Sequence, residues 1–184
     1  MFYELEIKDH IRVDPKSFNE DVEASVLKSL IERFEGYISE ELGFVIGISE
    51  IQSIGEGIIT PGDGAAYYET TFIITTFKPE IHETIVGKIT DITEFGAFID
   101  MGPADGMIHI SQTMDDFVSL SKEKVLTGKE SKKILKVNDI CRARIVAISY
   151  KDTANPKIGL TMRQPLLGNI KWIEEELKEA KKGK

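Results

Sequence analysis

Phe95 and Phe98 flank Gly96 in a stretch reading Phe-Gly-Ala-Phe, and His109 follows downstream. Aromatic rings carried on the outside of a small sheet can stack nucleobases. Every base has a π-face, so this chemistry is sequence-tolerant, and it contributes about 1–3 kcal/mol per stacked base. Gly96 allows a bend between two strands. Across that bend, alternation alone leaves Phe95 and Phe98 open to two readings, core or platform, and an aromatic on a sheet is more often core. His109 by itself reads as a structural histidine.

Other chemistry has less to stand on. The chain has three histidines, His10, His82 and His109, and no His/Cys cluster at metal-ligand spacing. Gly55-Glu56-Gly57 leads into Ile58-Ile59-Thr60 and not into a phosphate-loop lysine. Asp115-Asp116 could hold a cation, but adjacent carboxylates usually cap turns or face solvent. Cys141 is the single cysteine and falls on the inward phase with Ala143 and Ile145. No catalytic site, metal or cofactor is therefore expected.

The formal charge of −8 divides unevenly. Residues 1–79 hold 6 Lys/Arg and 15 Asp/Glu, whereas residues 119–163 hold 11 basic and 4 acidic residues. An acidic first half suits a protein partner, and a basic segment in the second half suits modest, salt-sensitive nucleic-acid binding. The lysines from Lys122 to Lys136 fit either a solvated face or RNA contact. Apolar runs are too short for a membrane span, and the first ten residues lack the apolar stretch of a signal peptide. Cytoplasmic residence is expected, in keeping with one unpaired cysteine.

Short elements must position these residues. Tyr3, Leu5, Ile7, Ile11 and Val13 alternate with charges as in a half-buried strand. Asp14-Pro15 predicts a helix start. Phe18, Val22, Val26, Leu30, Leu27, Ile31 and Phe34 predict one apolar helix face, ended by Gly36. Residues 44–54 read as a strand and residues 55–64, with four glycines and a proline, as a hairpin tip. Residues 67–77 read as a strand with Tyr68, Thr70, Phe72, Ile74 and Thr76 on one side. The first half is thus predicted to be α+β, a helix on an antiparallel sheet. In the second half, strands are predicted at 85–92, 97–101, 106–109, 140–148 and 157–162. They form a small closed five-stranded barrel, interrupted by a long loop over 114–137. Asn169 caps a C-terminal helix.

Val86-Gly87-Lys88-Ile89, Phe95-Gly96-Ala97-Phe98 and the segment from Asp105 to Ser111 resemble the RNA-binding, OB-type domain of the ribosomal-protein S-one family. Residues 139–145 and 157–161 extend the likeness. Gly62-Asp63-Gly64, Phe77-Lys78-Pro79, Ser111 to Asp116 and Leu160 to Pro165 are further similar to the E-prime family of archaeal RNA polymerase subunits, counterparts of the seventh subunit of eukaryotic RNA polymerase II. The resemblance implies an RNA-binding face of Phe95, Phe98, His109 and Lys157, with Lys88 and Arg144 at outward positions where relatives carry lysine. Where the family often has Asp at the end of the fourth strand, this chain has Ser149. It further implies a polymerase stalk subunit in two parts. Residues 1–79 would form a truncated ribonucleoprotein-like domain docking through Gly55, Gly57, Pro61, Gly62, Asp63 and Gly64. Residues 80–184 would form the OB barrel with its helix. The implied partners are the smaller F subunit, as a heterodimer, the polymerase core and nascent single-stranded RNA. A free RNA-binding factor of translation or RNA decay would share the barrel but not the acidic first domain.

Overall fold

The computed structural model describes residues 1–121, 123–152 and 155–182, the last four by backbone only. Contacts divide the chain into two compact units, Met1–Lys78 and Pro79–Lys184.

In the first unit, β1 (Phe2–Val13) sends its charges outward except Asp9, which pairs with Arg33 at 2.9 Å, and buries Ile11 and Val13. Asp14-Pro15 does not start the α-helix. It starts a single 3-10 turn, Pro15–Ser17. The Ser17 carbonyl accepts from the Glu20 N–H at 3.1 Å and from Ser25 Oγ at 3.0 Å, so its acceptor capacity is spent locally. The i,i+4 series begins only at Asp21, whose carbonyl accepts from the Ser25 N–H at 3.0 Å. Helix α1 (Val22–Phe34) buries Val26, Leu30 and Phe34. Phe18, Val22, Leu27 and Ile31, predicted on the same face, stay more than a third exposed. After Gly36 come β2 (Ile38–Ser39), β3 (Gly43–Ile59) and β4 (Ala66–Phe77), in an antiparallel sheet of order β1-β4-β3-β2. The central strand β4 buries Thr70, Phe72, Ile74 and Thr76, as its alternation predicts. The Phe34 and Phe72 rings meet at 5.2 Å where the helix crosses the sheet.

Strand β3 runs five residues further than the predicted strand and carries four single-residue bulges against β4, at Val45/Gly47, Ile48/Glu50, Ile51/Ser53 and Ile54/Gly57. Each bulge resets the pleat, so inward positions recur every third residue: Ile48, Ile51 and Ile54 all pack on the core. Gly55 and Gly57 therefore lie in a strand and not in the loop. A Cβ at Gly57 would sit 2.7 Å from the Tyr68 ring, which lies across the backbone there. The true turn is residues 60–65.

In the second unit, β5 (Thr84–Thr93), β6 (Gly96–Asp100) and β7 (Asp105–His109) form a meander. Then come β8 (Val118–Leu120), β9 (Val125–Gly128) and β10 (Ile134–Lys136), followed by β11 (Ile140–Ser149), β12 (Lys157–Thr161), β13 (Gly168–Asn169) and α2 (Ile170–Lys182). The order β12-β7-β6-β5-β11 closes through the β11–β12 pairing into a five-stranded barrel. Ile89, Ile99, Ile108, Ile145 and Ile158 fill it, each worth about 1.5–3 kcal/mol of burial. Cys141 is buried among them, and burial pushes its thiol up to about 12, which leaves it unreactive.

Residues 114–137, predicted as a loop of little structure, carry the small antiparallel sheet β10-β9-β8. Its centre is Leu126 and Leu135, both fully buried. Lys124 ties it to the barrel through Asp91 at 2.6 Å, and Lys133 ties it to α2 through Glu176 at 2.7 Å and the Trp172 ring at 5.5 Å.

Candidate nucleic-acid interface

The barrel's register sorts its outward side chains into rows, with neighbouring strands about 4.8 Å apart. Phe98 stands opposite Met107, and Gly96 opposite His109. Phe95 precedes β6 and its carbonyl accepts from the Ile110 N–H at 2.9 Å, just beyond His109. Phe95, Phe98 and His109 thus share one outer patch on β6 and β7. Phe95 is 63% exposed and Phe98 36%, so of the two readings left open by alternation the structure takes the outward one. Gly96 makes the patch possible: it presents no side chain beside the His109 ring.

Lys88 and Lys157 lie in the next row. Lys88 pairs with Asp100, Asp100 with Asp105, and Lys157 precedes the Ile158–Gly106 pair. Both lysines are exposed, and neither is ion-paired to a described residue. Asp100 and Asp105 lie between them in that row, which runs beside the aromatic patch. Arg144 stands apart. It pairs with Thr161 on β12 and Thr84 on β5, and its Nη1 donates to Gln164 Oε1 at 2.7 Å. Its guanidinium is therefore partly committed to holding the chain after β12.

The lysines of the insertion are largely structural. Lys124 and Lys133 make the ties already described, and Lys132 Nζ donates to the Lys129 carbonyl at 2.8 Å; Lys122 lies outside the described residues. Asp115 and Asp116 point to different partners. Asp115 holds Arg163 at 2.6 Å, while Asp116 accepts from the N–H groups of Glu130 and Ser131 at 3.0 and 2.8 Å. Those donors hold the Asp116 carboxyl below the usual carboxylate range. Asp116 thus caps the backbone, while Asp115 stays exposed in an ion pair. No group of three or more His, Cys, Asp or Glu that could hold a metal occurs among the described residues.

Phe117 was not singled out by sequence. It is 75% exposed and lines a cleft of about 480 Å³ with Ser111, Asp115, Glu130 and Arg163. Phe117 lies just past the Ser111–Asp116 motif and ahead of β8, and only its exposure marks it.

In the first unit, the turn at 60–65 is clamped internally. Asp63 receives Arg12 Nε and Nη2 at 3.0 and 2.9 Å and the Tyr67 hydroxyl at 2.7 Å. Arg12, then Tyr67, hold the Asp63 carboxyl down at about 2. Gly62 and Gly64 face open space, and Ile58 and Ile59 beside them are 64% and 61% exposed. The tip is thus a hydrogen-bonded turn with an apolar flank. No described helix is long and apolar enough to cross a membrane.

Residues 8–64 match the SHS2 domain found in the N terminus of Rpb7p/Rpc25p/MJ0397, and residues 78–150 match the S1 RNA binding domain. DNA-directed RNA polymerase subunit Rpo7 of Sulfolobus acidocaldarius is 36% identical over 183 residues, 99% of this chain and all of the relative. Rpo7 of Saccharolobus solfataricus is 33% identical over 180 residues, 97% of this chain and all of that one. DNA-directed RNA polymerase III subunit RPC8 of Saccharomyces cerevisiae is 27% identical over 190 residues, covering 99% of this chain and 90% of the relative.

Proposed function

Because the chain belongs to the Rpo7 family of DNA-directed RNA polymerase subunits, we propose that it is the polymerase's non-catalytic stalk subunit, docking through its first unit and holding emerging RNA on its barrel. Likeness along nearly the full length, acidic first unit included, supports a polymerase role over a free RNA-binding factor. The single observation that supports RNA contact is the outward patch of Phe95, Phe98 and His109 on an S1-type barrel. Phe95 and Phe98 stack bases, and Lys88 and Lys157 meet the phosphates beside them. Arg144 serves at the edge of this face. Phe117 extends the aromatic surface toward the neighbouring cleft. The partner is the smaller F subunit, bound as a heterodimer.

The hydrogen-bonded tip and its apolar flank are the docking element. Gly62, Asp63 and Gly64 shape the turn beside Pro61, and Gly55 and Gly57 let the bulged strand reach it. Replacing Gly62-Asp63-Gly64 with a longer polar loop is expected to abolish co-purification with the polymerase core while RNA binding by the free chain persists. Unchanged co-purification would remove the tip from the interface.

Lys157→Ala is expected to weaken RNA binding alike for all sequences. The slope of log affinity against log salt should shrink by about 0.7, one phosphate's share on a single strand. An unchanged slope would take Lys157 off the phosphate path.

A further inference from the structure

His109 is the N-cap of the short 3-10 turn Ile110–Gln112, and its ring is fixed by the residue two places on. The Ser111 backbone N–H donates to His109 Nδ1 at 3.3 Å, and Ser111 Oγ lies 2.8 Å from the same nitrogen. A backbone N–H has only a proton to offer, so Nδ1 must present its lone pair. In a neutral imidazole the ring proton then sits on Nε2. The Ser111 hydroxyl is thereby also cast as a donor to Nδ1. The opposite edge of the ring, carrying Nε2–H, belongs to an exposed side chain whose neighbour on β6 is Gly96. Gly96 has no side chain to cover it.

We propose that Ser111 is a positioning residue that holds His109 in the Nε2–H form, so that His109 gives one hydrogen-bond donor to an acceptor atom of the bound single strand. The acceptor is a phosphate oxygen or an acceptor on a base edge. This rests on the barrel face being the RNA site. It differs from a role in which the ring only stacks, because stacking is indifferent to which nitrogen bears the proton.

The test uses the full chain. Long-range proton–nitrogen correlation spectra with the imidazole neutral report the tautomer of each histidine, and a His109→Gln variant assigns the signals. The wild type should show an unprotonated Nδ1 at His109. Ser111→Ala removes the 2.8 Å partner and leaves only the longer 3.3 Å backbone contact, so the Nε2–H preference should weaken and the Nδ1–H form should appear beside it. Its affinity for single-stranded RNA should fall in proportion to the lost Nε2–H population, about twofold where the two forms are equal. Ser111→Thr keeps a hydroxyl and should restore both. An equal loss on oligo-U, oligo-A and oligo-C assigns the acceptor to phosphate, and a loss confined to one assigns it to a base edge. A wild-type ring protonated at Nδ1 overturns the proposal. So does a Ser111→Ala variant with unaltered RNA affinity while loss of Phe95 and Phe98 weakens binding. A wild-type chain with no RNA affinity overturns the RNA site itself along with it.

Discussion

A Gly96→Ala variant is expected to lose much of the stability of the barrel unit. A Cβ at this position would lie 2.0 Å from the Ile108 carbonyl oxygen and 2.9 Å from the His109 Cα, and both are backbone atoms. The φ of Gly96 is +149°, where L side chains are strained whatever the space. The neighbour cannot move away cheaply. Gly96 pairs with His109 in the β6–β7 ladder, and the next rung is the Ile110 N–H on the Phe95 carbonyl at 2.9 Å. Backbone strain of about 1–3 kcal/mol adds to overpacking of about 1–3 kcal/mol, a total of roughly 2–6 kcal/mol. A domain holds only about 5–15 kcal/mol in all. The melting transition should fall by roughly 8–48 °C, at about 4–8 °C per kcal/mol for a unit of this size. Calorimetry would show it, and hydrogen exchange should place the loss first in β6 and β7. A variant that melts like the wild type would mean that this crowded crossing is not the close approach described.

Legibility in the sequence followed the physical source of each signal. The barrel strands and β4 were readable because one buried face imposes period-2 alternation, and their predicted limits lie within one or two residues of those observed. The far half of β3 was not, because its bulges shift the apolar period to three and its glycines mimic a loop. The insertion sheet was missed because strands of three or four residues are too short to show any period. At Asp14-Pro15 the signal was real but marked a 3-10 turn, since the next carbonyl is spent on Glu20 and Ser25. Motif resemblance supplied the candidate RNA residues. The structure groups Phe95, Phe98 and His109 in one patch, sets Lys88 and Lys157 beside it and leaves Arg144 apart. The Ser111–His109 pairing is a matter of angles and distances, and no spacing rule announces it.

Replacing both Phe95 and Phe98 with Ala should weaken single-stranded RNA binding by roughly 2–6 kcal/mol, taking one stacked base for each ring. That is a loss of about thirtyfold to twenty-thousandfold in affinity. The effect on folding should be far smaller. A buried core Phe→Ala change costs about 3–5 kcal/mol each, but Phe95 is 63% exposed and Phe98 36%. The pair should together cost roughly 1–3 kcal/mol, mostly from Phe98, by partial loss of burial. RNA titration and thermal melting of the same variant separate the two quantities. The contrast with Gly96→Ala is diagnostic: that change attacks the backbone crossing beneath the patch, whereas the double Phe change removes only what projects from it. Salt separates the rings from the lysines as well. Loss of stacking should lower affinity without changing the salt slope, because neither ring neutralises a phosphate. A well-folded double variant that binds RNA like the wild type would sink the stacking role. The exposed aromatic face of the barrel would then have to be read as a contact for another protein of the polymerase.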